Sequence, residues 1–270
     1  MTFLLTLNAS TIRPTPLVEK LQIAASAGYA GIELWHDEIE EYSRQGNSLS
    51  DLRKRIDDLG LVVPSTINLK GWLEAESFAD PAWEHCRIRL EQASALGARY
   101  IVAGPPRQQV DWNLAAANFR HLTALADGFE TAPSMEFLGF VTRFCTIESA
   151  LRVVTDSGVP NGTLVLDPFH IFLGGGSFES VRSLTPQLIS VCHFNDAPEM
   201  ANSDADRVLP GEGRLPLVSM LRELIAMGYV GPLSLELFSE KLWREDPLEV
   251  AERGLEKMRR LIGQAQSSHS

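Results

Sequence analysis

Cysteine is scarce. The chain of 270 residues has three, Cys86, Cys145 and Cys192. They are widely spaced and form no C-x-x-C pair, which argues against a disulfide framework or a cysteine zinc site and fits reduced thiols in a cytoplasmic protein. No apolar run approaches the roughly 18 residues that a membrane span needs. The opening MTFLLTLNAS lacks a basic flank and an A-x-A-like cleavage site, so it reads as a buried first strand and not as a signal peptide. No G-x-G-x-x-G or Walker pattern occurs, and the glycine run at 174–176 reads as a loop. Positive charge is in deficit, with 24 Lys+Arg against 35 Asp+Glu and a net charge of −11. That balance disfavours partners built on phosphate backbones or anionic lipid. No Pro/Ser-rich linker divides the chain, so one domain over residues 1–263 is expected, with a polar, disordered tail at 264–270.

What is present is an alternation. Short β-rich apolar runs lie at 3–7, 30–35, 61–67, 99–103, 134–138, 163–167, 188–193 and 233–237. Amphipathic stretches separate most of them, as at 15–27, 48–59, 82–96, 111–127, 146–157, 216–227 and 247–262. Strands that alternate with helices pair in parallel, because each return crossing needs a helix. A weak repeat accompanies the pattern: Gly28, Gly60, Gly97, Gly158 and Gly228 each close a helical stretch just before a strand. Glycine there supplies the left-handed C-terminal cap. Eight such units predict a single-domain (β/α)8 barrel of the α/β class, whose functional residues belong at the C-terminal ends of the strands.

Four consecutive strands carry a metal-ligating residue near that end. They are Glu136 in SMEFLG, Asp167 in LVLDPFH, His193 in VCHFND and Glu236 in LSLELF. One buried carboxylate can be paired by an arginine, but three converging at one barrel mouth repel each other unless a cation lies between them. Three carboxylates and an imidazole form a mostly hard donor set, suited to one Mn²⁺ or Mg²⁺ ion, with Co²⁺ or Zn²⁺ as further fits. Such an ion polarises a carbonyl and acidifies the adjacent C–H, so that a neighbouring carboxylate moves the proton through an enediolate. His170 lies three residues beyond Asp167 and can reach the same pocket. Arg207 sits in the loop DRVLPGEG, where its fork can hold a polarised oxygen or pair with Asp204, Asp206 or Glu212. Asp196 is placed to hydrogen-bond a ligand or Arg207. Weaker claims to the pocket belong to Glu33, which an Arg or Lys partner explains equally well, to Trp35, Trp72 and Trp112, for which core or rim packing is the better account, and to Lys70, for which solvation is the default.

The segments SMEFLG, LVLDPFH, HFND, DRVLPGEG and LSLELF resemble the xylose isomerase-like TIM-barrel superfamily of sugar isomerases and epimerases. Within it they are most similar to 2-keto-myo-inositol (inosose) isomerases. The resemblance implies that Glu136, Asp167, His193 and Glu236 bind one divalent metal, that Glu136 and Glu236 act as the acid/base pair, and that His170 and Arg207 contact substrate oxygens. It implies a small polyol or keto-sugar substrate, with no nucleic-acid or membrane partner, and leaves a homo-oligomer open. A 3-dehydroshikimate dehydratase-type lyase is the nearest alternative, with Lys70, Arg13 or Arg107 available for a substrate carboxylate. A ketose 3-epimerase, an AP endonuclease and a non-catalytic polyol-binding barrel are further ones. The endonuclease reading lacks its extra histidines, since strand 3 ends in Thr66, Ile67 and Asn68 and strand 4 in Ala103 and Gly104.

Overall fold

The structure, a computed structural model, describes residues 3–267. Eight strands close into a barrel in which every neighbouring pair is parallel and β8 returns to β1. They are β1 (Leu4–Asn8), β2 (Gly31–Trp35), β3 (Ser65–Leu69), β4 (Tyr100–Ala103), β5 (Ala132–Glu136), β6 (Thr163–Leu166), β7 (Ile189–Phe194) and β8 (Pro232–Leu235). The outer ring is built from α1 (Leu17–Ala27), α2 (His36–Arg44), α3 (Leu49–Asp58), α4 (Pro81–Ala95), α5 (Trp112–Leu125), α6 (Ile147–Ser157), α7 (Pro168–Leu173), α8 (Leu217–Ala226) and α9 (Pro247–Gln266). Among the described residues, no helix is long and apolar enough to cross a membrane.

All eight expected strands are present, and all five repeat glycines have positive φ. Three details differ from the expectation. The unit after β2 carries two helices, because the strongly polar HDEIEEYSR segment buries only His36, Ile39 and Tyr42 and still forms α2. Strand β6 is followed by the short α7 and a 3-10 segment at Phe178–Ser183 instead of a long helix. The expected tail boundary at 264 is too early: α9 continues through Gln266 and buries Ala265, an anchor that holds the flanking glutamines in the helix. The last three residues of that tail lie outside the described residues.

The period of two along each strand decides what faces the barrel axis. In β6 and β7, Leu164, Leu166, Cys192 and Phe194 belong to the core between strands and helices. Val165 and Val191 instead join Ile67 and Val102 in a small apolar cluster inside the barrel. Two residues further along, the inward positions are Asp167 and His193. In β5 and β8, Met135, Leu233 and Leu235 face the helices, and the alternate positions are Ser134, Glu136, Ser234 and Glu236. In this way the barrel interior changes from apolar to ionic at one level.

Candidate metal centre

Glu136, Asp167, His193 and Glu236 are buried at the C-terminal end of the barrel, and their functional atoms converge. His193 Nδ1 lies 3.2 Å from Glu136 Oε1, 3.2 Å from Glu236 Oε2 and 3.7 Å from Asp167 Oδ2. Neither ring nitrogen of this buried histidine has a hydrogen-bond partner. The imidazole therefore points at three carboxylates without hydrogen-bond alignment, an arrangement suited to a lone pair directed at a shared cation. Single ligating atoms of Asp167, His193 and Glu236 all lie within 4.8 Å of one another, and so do those of Glu136, Asp167 and His170. The donor set fits one divalent ion.

Local structure divides the labour of each oxygen. Asp167 caps α7, its Oδ1 accepting from the backbone N–H of Phe169 at 2.8 Å and from Asn195 Nδ2 at 3.2 Å. Its Oδ2 is left for the site. Pro168 at the first helical position preorganises that cap. Arg207 is buried, and its Nη1 donates at 2.8 Å to both Asp167 Oδ2 and Glu236 Oε2. Its Nη2 donates to Asp204 at 2.9 Å and lies 3.1 Å from His170 Nε2. The guanidinium is held between the rings of Phe169 and Phe238. The expected contact with Asp204 exists, but Arg207 is an interior residue and not a surface one.

Asp196 differs from the expectation. It meets neither Arg207's side chain nor the ligand cluster. Its carboxylate accepts from the backbone N–H groups of Ala197, Gly211, Gly213 and Leu215 at 2.8–3.0 Å. With the backbone bridge to Val208, it pins the loop that carries Arg207. A Cβ at Gly213 would stand 2.4 Å from Asp196 Oδ1, so only glycine lets the loop come this close.

Further residues support the cluster from below. Glu33, fully buried, lies 3.5 Å from His193 Nε2, behind the ring. It accepts from Ser65 and, at 3.0 Å, from Asn8 Nδ2, which also donates to Glu236 Oε1 at 3.1 Å. Asn8 and Asn195 carried no sequence signal beyond their position at strand ends.

The electrostatics separate the two acids that share Arg207. Burial pushes Glu236 up to about 8 against the pull of His193 and Arg207, with the Asp167 and Glu136 charges adding to the rise. Burial acts upward on Asp167 too, but Arg207, His170 and His193 hold it well below the usual carboxylate range. Burial lowers His170, whereas the charges of Glu236 and Glu33 outweigh burial at His193 and raise it. Asp167 is thus held as an anion, whereas burial favours the protonated form of Glu236.

Above the cluster opens a cavity of about 530 Å³, lined by Glu136, His170, Arg207 and Glu236, with Trp35, Phe140 and Phe238 as apolar walls. Lys70 and Arg107 stand at its rim. Trp72 and Trp112 pack elsewhere, against Phe119 and Phe144, and Arg13 pairs with Asp37 outside the cavity.

The sequence model of the xylose isomerase-like TIM barrel family matches residues 21–261. The chain belongs to that family. An inosose isomerase of Bacillus velezensis is 29% identical over 268 residues, covering 90% of this chain and 92% of the relative. A 3-dehydroshikimate dehydratase of Pseudomonas aeruginosa is 28% identical over 244 residues, covering 83% of this chain but 36% of that longer protein. The crystal structure of IOLI protein with a binding zinc atom matches at a TM-score of 0.89 and 23% identity, covering 97% of this chain and 98% of that one. At that identity the likeness establishes the fold.

Proposed function

We propose that this family member is a divalent-metal-dependent isomerase or epimerase of a ketose or cyclic hydroxyketone, inosose-like, that moves a proton next to a carbonyl. The observation that carries this reading is the convergence of Glu136, Asp167 and Glu236 on an imidazole that makes no hydrogen bond. These four residues hold the ion, with Mn²⁺ or Mg²⁺ the best match to the donors and Co²⁺ or Zn²⁺ also suited. The ion, when bound, supplies Lewis acidity toward the substrate carbonyl. Glu136 and Glu236 come from β5 and the end of β8 and flank the cluster from two sides. In an epimerisation, one takes the proton from the C–H beside the carbonyl, leaving an enediolate, and the other, already protonated, delivers its own proton to the opposite face of that carbon. In an isomerisation, the glutamate that took the proton gives it to the neighbouring carbon while the hydroxyl proton passes to the former carbonyl oxygen. His170 and Arg207 present donors to substrate oxygens from the cavity wall. Trp35, Phe140 and Phe238 limit water at the reacting carbons.

One observation favours a second reading. Lys70 and Arg107 line the cavity and neither is paired with a carboxylate among the described residues, although Glu74 shares the rim. Arg107 is steadied over the Phe140 ring at 5.1 Å. Two free cations suit a substrate carboxylate, as a 3-dehydroshikimate dehydratase-type lyase requires. The same proton abstraction would then be followed by loss of a β-hydroxyl as water.

NMR of C–H exchange in D₂O, with Mn²⁺-activated protein quenched by chelator before observation, separates the readings. Exchange on 2-keto-myo-inositol that survives Lys70→Ala and Arg107→Ala supports the isomerase. Water loss from 3-dehydroshikimate that both substitutions impair supports the lyase. Exchange on neither compound, nor on free ketoses, overturns both.

A further inference from the structure

Asn8, the last residue of β1, is fully buried at the floor of the site and has all four of its side-chain hydrogen-bonding directions accounted for. Its Oδ1 accepts from the indole Nε1 of Trp35 at 2.8 Å and from the backbone N–H of Ser10 at 3.0 Å. Two donors on that side fix the orientation of the amide, since the reverse flip would set N–H against N–H. Its Nδ2 must then face the carboxylates, donating to Glu33 Oε2 at 3.0 Å and Glu236 Oε1 at 3.1 Å. Glu236 is thus held at both oxygens, Oε1 by Asn8 and Oε2 by Arg207. Oε2 is also the oxygen 3.2 Å from His193 Nδ1.

We infer that Asn8 is a positioning residue for Glu236: its locked amide takes Oε1 out of play, so that Oε2 alone is presented to the metal and substrate. This inference rests on the metal-dependent reading above. The same NH₂ group tethers Glu33 behind His193, so one side chain sets two of the groups around the ion. Trp35 lies in the cavity wall and anchors the amide, which ties the apolar wall to the orientation of the acid.

Hydrogen bonds that orient metal ligands are typically worth about 10- to 100-fold in metal affinity or activity. Asn8→Ser leaves a small polar group and room for water. It is expected to weaken Zn²⁺ binding by at least about tenfold, measured by isothermal titration calorimetry, and to lower kcat by about 10- to 100-fold with KM changed less than about twofold. In a Glu236→Gln background the effect of Asn8→Ser on Zn²⁺ affinity should largely vanish, because the two act as a unit. A lowered melting temperature with Zn²⁺ affinity and kcat unchanged overturns the inference, as does full additivity with Glu236→Gln. Wild-type protein that binds no divalent ion refutes the metal reading and this role with it. Wild type that binds while Asn8→Ser binds equally well refutes Asn8 alone. Should Asn8→Ser fail to fold, wild-type protein labelled with ¹⁵N-asparagine decides. The Asn8 NH₂ signal should exchange slowly and shift on Zn²⁺ addition, and a fast-exchanging signal blind to Zn²⁺ overturns the inference.

Discussion

Replacing Arg207 by methionine removes one positive charge from the wall of the cavity while keeping a long, apolar stem between Phe169 and Phe238. Glu33, Glu136, Asp167 and Glu236 gather in the barrel interior, and Arg207 is the guanidinium that contacts two of them, at 2.8 Å each. Breaking a buried ion pair from one side costs about 3–5 kcal/mol. Unfolding entropy of about 2.1 cal/mol/K per residue turns that cost into a drop in Tm of about 5–9 °C for a chain of this length. That drop applies in excess chelator. A divalent ion brings positive charge to the same carboxylates, so Arg207→Met should bind Mn²⁺ at least about tenfold more tightly than wild type even though it loses turnover. Each tenfold gain in affinity recovers about 1.4 kcal/mol at saturating ion. Circular-dichroism melts with chelator and with Mn²⁺, together with calorimetric Kd values, test this. Equal or weaker Mn²⁺ affinity in Arg207→Met, or a Tm deficit that Mn²⁺ leaves untouched, would refute the charge argument.

Glu236→Gln should lower kcat by about 10²- to 10⁴-fold, the usual contribution of a general acid or base, and C–H exchange in D₂O reads it directly; exchange near the wild-type rate removes Glu236 from the proton transfer. Asp196→Ala frees four backbone N–H groups, two of them at the solvent edge. It should cost about 3–5 kcal/mol in urea unfolding and reduce kcat/KM by loosening Arg207's loop, and kcat/KM at the wild-type value would show that the loop does not depend on Asp196. Buried His36, bonded to Gln92 and Thr66, is lowered to about 3 by burial. Because the unfolded chain binds that proton near pH 6.5, the stability from neutral His36 is complete above that pH and is lost as pH falls toward 3. Its loss runs at about 1.4 kcal/mol per pH unit. Unfolding free energies between pH 6.5 and 5 should therefore fall by about 2 kcal/mol more in wild type than in His36→Gln, and parallel curves would contradict this.

The parts of this molecule that could be read from the chain were those written in local periodicity. A strand with one charge between apolar neighbours, as in LVLDPFH or LSLELF, states both its burial and its oddity, and all four candidate ligands came from that signal. The closing glycines placed the strands between them to within a few residues. In β5 the strand runs over Ala132–Glu136, two residues earlier at both ends than the expected 134–138, and Glu136 is its last residue.

What could not be read depends on distant partners or on weak local signals. Asn8 sits in TLNAS, where it looks like a turn residue, and its bond to Glu236 spans 228 positions. Glu33 was ambiguous because the partner that uses it, His193, lies five strands away. Asp196 was expected to hydrogen-bond a ligand or Arg207, but it accepts from backbone N–H groups of Arg207's loop, which no side-chain pattern records. The helix α2 was missed because three buried positions in nine residues give a faint apolar face.

Glu136, Asp167, His193 and Glu236 are proposed to hold a catalytic divalent ion. The most direct test is the metal content and affinity of the purified protein, by elemental analysis and calorimetry with Mn²⁺ and Zn²⁺. Wild type should hold one ion per chain, and Asp167→Ala and His193→Ala, both still folded, should retain none after dialysis. A wild-type protein that binds no ion stoichiometrically, or an ion that binds equally well without Asp167 and His193, would contradict the proposal.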